Sequence, residues 1–372
     1  MYLEKIHLKN FRNIQDTTIS LNSSFNFFIG KNGQGKTNLL ESIYLLGTGK
    51  SHRTNIDKEM IKWNKDSSLV QVLLNKSDYN LKISLKIKGR EKKAYINDNP
   101  LEKISELLGN VNVVLFSPED LQLVKGSPSK RRKFINIEVS QVSSYYHHLL
   151  NQYRKVLKQR NNLLKEIKEN KKNDKNNTML EVWNEQLIDL GSKIIKKRLE
   201  VIDKLKILAR LSQRQITGGN ENLSIFYESS LDEDLKNKDI RFIFKQKLVN
   251  NKNREIRRGY TLFGPHRADL MLKINNMDVR KYGSQGQQRT VALALKLAEL
   301  EYMKSETGEY PILLLDDVFS ELDKNRKNTL INSITDKIQT LITSTEIKDI
   351  NKLTNNSNQI FSVKNGNIAK GR

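Results

Sequence analysis

The chain has 372 residues, enough for two or three domains with a sizeable buried core. Its 65 Lys and Arg against 42 Asp and Glu leave a formal charge of +23, which favours a polyanionic partner, nucleic acid ahead of an anionic membrane surface. The absence of cysteine excludes disulfides, thiolate metal sites and cysteine catalysis; without a leader-like start or an apolar run of about 18 residues, the expectation is a cytoplasmic chain with no membrane partner.

The first stretch alternates as strands do, with Leu3, Ile6 and Leu8, then Ile19 and Leu21, then the apolar run 25–29. Strand-like runs follow at 69–74, 81–87 and 111–116, with a turn cluster at Asn97-Asp98-Asn99-Pro100. After Pro128 the period becomes helical. Leu149, Tyr153, Val156, Leu163 and Ile167 form one stripe, and the polar tract 171–178 breaks it. A second stripe takes in Trp183, Leu187, Leu190, Ile194, Val201, Leu205 and Leu208, with a gap at Lys197. Two long helices joined by a polar tip predict an antiparallel hairpin, a short coiled-coil-like arm. Residues 151–215 hold 17 Lys and Arg against 8 Asp and Glu, a charge that suits a solvated helical face and DNA contact equally. Strand-like sequence returns at 223–227 and 270–274. A helix is expected from Gln287 to about Met303, then a buried strand at 312–315, and the tail closes with 341–343 and 360–363. The layout is an α/β domain split by a helical insertion: 1–124 and 259–372 form the α/β part, and 125–258 the insertion with its arm.

Gly30-Lys31-Asn32-Gly33-Gln34-Gly35-Lys36-Thr37 fits G-x-x-x-x-G-K-[ST], entered by an apolar strand and left, from Asn38, by a helix. The glycines let backbone N–H groups converge on phosphates, and the helix N-terminus adds partial positive charge. Lys36 is expected to bridge the β- and γ-phosphates of a nucleoside triphosphate, and the Thr37 hydroxyl to hold magnesium. Hydrolysis also needs a carboxylate at the end of a neighbouring buried strand. Ile312-Leu313-Leu314-Leu315-Asp316-Asp317 supplies two: Asp316 as the magnesium carboxylate and Asp317 as the base that polarises the attacking water. At the start of the later helix, Ser284-Gln285-Gly286-Gln287 combines a hydroxyl, a glycine amide and a helix N-terminus into a second anion site. One monomer gains little from two such devices. Two monomers head to tail would place this one over the partner's γ-phosphate, with Ser320-Glu321-Leu322-Asp323 suited to the seam.

These three motifs together resemble the ABC-type ATPases, in their chromosome-maintenance and repair branch, and within it the bacterial recombination mediators. The resemblance runs through Leu8-Lys9-Asn10-Phe11-Arg12-Asn13, Gly47-Thr48-Gly49-Lys50-Ser51-His52-Arg53-Thr54 and Phe116-Ser117-Pro118-Glu119-Asp120-Leu121. It continues through Lys125-Gly126-Ser127-Pro128 with Arg131-Arg132, then Gly264-Pro265-His266-Arg267-Ala268-Asp269, the segment from Tyr282 to Arg289 and the segment from Leu314 to Asp323. It implies an α/β P-loop ATPase head with a helical insertion and short arm, using ATP and Mg2+. It further implies dimerisation on ATP, separation after hydrolysis, and binding to single-strand/double-strand junctions at DNA gaps. Work with RecR and RecO to load RecA is implied as well.

Two positions depart from the ABC pattern. The usual glutamine after the strand that enters the insertion is missing, with Ser117, Glu119 or Gln122 as candidates for its role. The switch histidine is replaced by Thr343-Ser344-Thr345, whose hydroxyls are expected to reach the γ-phosphate. Both changes favour slow hydrolysis. Arg12 and Asn13, in the first turn, are candidates for contact with the base and ribose, and His52 and Arg53 for contact with phosphates or a dimer partner. His266 and Arg267 read as an interface or structural pair. For DNA the densest basic clusters are Lys130-Arg131-Arg132-Lys133 and Arg254, Arg257 and Arg258, suited to phosphate contacts with little sequence preference, the first also suited to pairing with acids inside the fold. The rival readings are the nucleotide-binding subunit of a membrane transporter and an ATP-dependent nuclease.

Overall fold

Period-two patterning builds the N-terminal strands. The computed structural model describes residues 1–169, 174–232, 234–335, 337–345 and 358–371. In it β1 (Tyr2–Phe11) forms a hairpin with β2 (Ile14–Ser20), Ile6 and Leu8 facing inward while His7 and Lys9 face out. β3 (Phe25–Ile29), apolar at four of its five positions, joins a different sheet and feeds α1 (Lys36–Thr48). The antiparallel sheet then resumes with β4 (Ser67–Asn75), β5 (Asn80–Lys88), β6 (Glu91–Ile96) and the short β7 (Asn99–Pro100), in the order β2-β1-β4-β5-β6-β7. β8 (Val113–Phe116), wholly buried, returns to the sheet of β3.

The helical region follows, with α2 (Leu121–Lys125), α3 (Pro128–Val142), α4 (Ser144–Glu169) and α5 (Asp174–Ile216). β9 (Leu223–Glu228), α6 (Ile240–Asn250), α7 (Lys252–Arg258), β10 (Asp269–Ile274), β11 (Met277–Asp278), α8 (Val279–Tyr282) and α9 (Gln285–Thr307) complete it. β12 (Ile312–Asp316), α10 (Lys324–Ile334), β13 (Thr340–Ser344), β14 (Gln359–Lys364) and β15 (Asn367–Lys370) close the chain. The second large sheet runs β15-β14-β3-β13-β12-β8, parallel except for the terminal hairpin.

Two compact units result. The first takes residues 1–121, 211–220 and 289–372, and the second 122–210 and 221–288. In the first, α1 is buried nearly all round because it is packed between both sheets. Leu39, Ile43 and Leu46 share one core with Ile6, Val70 and Ile83 of the antiparallel sheet and Leu314 and Leu341 of the parallel one. Buried Gln339 ties the layers through backbone polar groups, accepting from Leu3 N at 2.7 Å and donating to Leu3 O and Asn22 O at 2.8 and 2.7 Å.

In the second unit α4 and α5 run antiparallel, as their stripes predict. Leu163 and Leu164 pack with Leu180, and Arg160 Nε donates to Asn184 Oδ1 at 2.7 Å. Leu208 is only partly covered, and Ala209 takes the buried position beside it. The polar tip at 171–178 lies partly outside the described residues. The hairpin is no bare arm, because α3 and α7 pack on α4 and buried arginines staple the unit. Arg160 also reaches Glu255 Oε2 at 2.6 Å and Thr261 Oγ1 at 2.7 Å. Arg198 donates to Tyr146 Oη, Pro265 O and Asn136 Oδ1 at 2.7–3.0 Å. The second unit ends at Gln288, not at the expected 258. The strand after 258 pairs with β9 (Leu270 with Tyr227), and Asp269 at its head clasps Arg131.

His266 sits in that unit with Nδ1 2.8 Å from the Tyr153 hydroxyl and Nε2 3.3 Å from Thr261 O, a structural pair of contacts. Burial pushes its pKa down to about 4, with the positive charges of Arg267 and Arg132 adding to the effect. A base held neutral in the fold contributes stability above its ordinary pKa of 6.5 and loses it as the pH falls toward 4. Thermal unfolding midpoints should drop between pH 6.5 and 4, and His266→Gln should flatten that part of the curve. An unchanged slope in the variant would show that another group titrates there.

Candidate nucleotide site

The phosphate loop lies between β3 and α1, and its crest (Lys31, Asn32 and Gly33) is open to solvent. Gly30 has no alternative residue, because a Cβ there would meet the carbonyl oxygen of Val363 at 2.2 Å. Lys36 is buried and folded back along the loop, donating to Gly30 O at 2.7 Å and Lys31 O at 3.2 Å. Its ammonium therefore stands inside the ring of loop carbonyls, where a polyphosphate would displace those bonds with stronger charge-assisted ones.

Strand order brings the carboxylates to the loop. β13 lies between β3 and β12, and the register sets Asp316 beside Thr343 and Ser344 beside Ile29. Asp316 Oδ1 accepts from Thr37 Oγ1 at 2.9 Å and from Thr343 Oγ1 at 2.8 Å. Burial raises its pKa, and the two hydroxyls and Lys36 work against that rise. A hydroxyl and a carboxylate oxygen this close are hard oxygen donors of the kind Mg2+ takes, and a cation would relieve the desolvated carboxylate. Asp317 adopts the left-handed region, with φ 51°. Its N–H donates to Thr343 Oγ1 at 2.9 Å, while its carboxylate makes no hydrogen bond among the described residues. Thr343, expected at the γ-phosphate, is thus engaged here in positioning both acids. Ser344 is buried, and its carbonyl accepts from Gly30 N at 3.3 Å.

Behind the loop stands a scaffold that the motif does not announce. Asn13 Nδ2 donates to Gln34 O at 3.1 Å and its Oδ1 accepts from Asn38 Nδ2 at 2.8 Å. The β14–β15 turn grips the same residue, with Gly366 N on Gln34 O and Asn365 N on Gln34 Oε1, both at 2.8 Å. The signal was present: Asn365-Gly366 is the Asn-Gly dipeptide of a two-residue hairpin, and both residues have positive φ, 50° and 79°. Arg12, expected at the nucleotide, instead forms a two-pronged pair with buried Glu41 at 2.7 and 3.0 Å, and Nη1 reaches Glu59 O. Burial pushes the Glu41 carboxyl up, but hydrogen bonds from Arg12 and Ser51 and the charges of Arg12 and Arg53 outweigh it and hold it below its usual value. Arg53 also reaches Asn38 Oδ1 at 2.7 Å, and the His52 ring meets the Tyr44 ring edge-on.

Ser284 is exposed at the head of α9. Its Oγ accepts from Gln287 N at 3.2 Å, and Gln287 Oε1 accepts from Ser284 N at 2.9 Å, a reciprocal capping box. Gln285 is exposed, Gly286 is half-buried, and Gln287 reaches Glu221 at 2.9 Å. Of the missing-glutamine candidates, Ser117 caps a short turn with Asp120, while Glu119 and Gln122 are exposed. The first basic cluster divides. Arg131 is buried on Asp269 at 2.7 and 2.9 Å and so is withdrawn from any phosphate backbone, and Arg132 is tied to Ala268 O. Lys130 and Lys133 are exposed, as are Arg254, Arg257 and Arg258 of α7.

A phosphate loop, a strand-end carboxylate pair and a capped serine helix on this sheet order define a P-loop ATPase head of the ABC and SMC type. Solved SMC heads share the fold, one from Pyrococcus furiosus aligning over all of this chain with TM-score 0.56 at 16% identity. The chain belongs to the RecF/RecN/SMC N-terminal domain family, whose model matches residues 2–369, and within it to the RecF proteins. It is 58% identical over its full length to the DNA replication and repair protein RecF of Halothermothrix orenii, covering 99% of that protein. It is 45% identical, with both chains covered fully, to RecF of Clostridium botulinum strain Loch Maree. Among solved structures it matches the recombination mediator protein RecF with ATP, in the RecFOR pathway, at TM-score 0.91 and 38% identity, covering 100% of this chain and 98% of that one.

Two outcomes test the geometry. Thr343→Val keeps the shape of the side chain but removes both hydrogen bonds, so turnover should fall about 100-fold with nucleotide affinity nearly unchanged. Equal turnover would remove Thr343 from any positioning role. Gly366→Ala drives a Cβ to 2.4 Å from Asn13 O at φ 79°, so it should cost about 1 kcal/mol or more and weaken binding of a fluorescent ATP analogue. Full affinity in that variant would show that the hairpin does not shape the loop.

Proposed function

We propose that the chain is an ATP-gated DNA-binding factor of recombinational repair that closes as a homodimer on ATP and Mg2+ and opens after slow hydrolysis. One observation carries this reading: Ser284 is exposed at the start of a 23-residue helix, capped and preformed, with its hydroxyl and the first helical turn reachable from outside. In a head-to-tail dimer Ser284, Gln285, Gly286 and Gln287 meet the partner's γ-phosphate, while the residues of the phosphate loop hold the nucleotide from the other side. The bound magnesium neutralises phosphate charge. Thr37 and Asp316 are the residues that would hold it, Lys36 holds the β- and γ-phosphates, and Asp317 takes the proton of the attacking water. With the glutamine and histidine of faster ABC enzymes missing, turnover is that of a timer; a rate of hundreds per second without partners would contradict this.

DNA contact falls to exposed cations, with Lys130, Lys133, Arg254, Arg257 and Arg258 the candidates and Arg132 a weaker one. The preferred substrate is gapped DNA, and the partner is RecR, acting with RecO to load RecA. Support comes from the similarity to RecF proteins, one of them solved in the RecFOR pathway. Membership of this family also weighs against a transporter subunit.

Sedimentation with and without ATP and gapped DNA tests the model. Wild type should dimerise on ATP. Lys36→Arg should lose nucleotide binding, because a planar guanidinium replaces a compact ammonium in the cradle. Ser284→Arg should bind ATP yet stay monomeric, and its dimerisation would sink the composite site.

A further inference from the structure

The antiparallel sheet has an outer face that the nucleotide site does not use. Its inner face carries Ile6, Leu8, Val70, Val72, Ile83, Leu85 and Ala94, all in the core. The register places the alternate residues in rows on the other side. One row runs Lys5, Leu73, Lys82; the next His7, Gln71, Ser84, Tyr95; the third Lys9, Leu69, Lys86, Lys93; Lys88 lies beyond, opposite Ser67. Strand spacing puts Lys9 and Lys86, two strands apart, about 10 Å from each other, and four residues along one strand separate Lys5 from Lys9 by about 13 Å.

Three acids bordering this face are occupied, while Glu4 beside Lys5 and Asp66 beside Ser67 make no ion pair among the described residues. Asp16 is bound by His7 at 3.0 Å, Glu91 by Lys93 at 3.4 Å and Asp98 by Lys82 at 2.9 Å. Lys5, Lys9, Lys86 and Lys88 have no carboxylate within ion-pair distance among the described residues. Between the rows lies a concavity of about 180 Å³ lined by Lys5, His7, Thr18, Gln71, Val72 and Leu73, in which the lysine, histidine, threonine and glutamine are groups of the kind that hold a phosphate. Tyr95, the aromatic residue of the second row, has the Lys86 ammonium over its ring at 4.9 Å, so that ring is not a base-stacking platform.

We propose that this lysine grid is a docking surface for the phosphate backbone of duplex DNA, separate from the basic clusters of the second unit. The proposal rests on the DNA-binding reading above and adds to it a place and a strand type. Charge complementarity selects the polyanion. The covered ring of Tyr95 favours duplex over single strand, since the aromatic residue of these rows is not offered to unstacked bases.

Lys9→Gln/Lys86→Gln removes two exposed ammonium groups that make no contact with the phosphate loop or its carboxylates among the described residues. Its melting temperature should match wild type. Its affinity for a duplex should fall several-fold, and the slope of log K against log salt should shrink by about 1.8. Lys103→Gln/Lys337→Gln, with the same loss of charge elsewhere in the first unit, should bind as wild type does. Wild-type affinity and slope in Lys9→Gln/Lys86→Gln would overturn the surface, as would an equal loss in the charge-matched control. A loss confined to single-stranded DNA would overturn the duplex assignment. If the wild-type chain binds duplex and Arg254→Gln/Arg257→Gln alone weakens it, the DNA-binding reading stands and this surface does not. If wild type binds no DNA, both fall.

Discussion

A single carboxylate oxygen organises the nucleotide site. Asp316 Oδ1 takes one hydroxyl from the first turn of the helix after the phosphate loop and a second from the strand between, so three separate chain segments converge on one acceptor. That convergence requires the intervening strand to be inserted between the other two, in parallel register. It also requires the residue at its end to be small, with a hydroxyl. Threonine meets both needs, donating to one acid and accepting from the backbone of the next. The desolvated carboxylate is poised for a cation, because burial has already raised the cost of its bare charge.

The contiguous parts of this site were legible in the sequence. A loop whose chemistry resides in successive backbone amides, a strand of four aliphatics ending in two acids, and a serine three residues before a glutamine each fit within one element. Local spacing therefore carries their meaning. The sheet order was not legible, nor was the role of Thr343, because its side chain is defined by neighbours from two other strands. Arg12 shows the same limit: nothing near it in sequence announces Glu41, 29 residues away and buried in a helix.

One basic run divides between inside and outside for a reason that helical phase explains. In Lys130-Arg131-Arg132-Lys133, Arg131 shares a face with Phe134, Ile135, Glu138 and Val139, all buried, whereas Lys130 and Lys133 point away. The spacing i, i+3, i+4, i+7, i+8 marks that face in the sequence itself. Arg160 and Arg198 follow the same rule within their helical stripes. Each brings a rigid fork of donors to several oxygens at once, a role a lysine cannot fill. Breaking such a buried pair from one side leaves an uncompensated charge, which costs about 3–5 kcal/mol. The basic excess of this chain is therefore a mixture of solvated charge and internal mortar.

The grip of Asn365 and Gly366 on Gln34 has a bearing on how the chain is born. Synthesis delivers the clamp more than 300 residues after the phosphate loop. A nascent chain can assemble the N-terminal hairpins and the helical insertion as they emerge, but the loop lacks these two partners until the β14–β15 hairpin leaves the ribosome. A product that stops short of that hairpin would carry the whole motif without the clasp that shapes it.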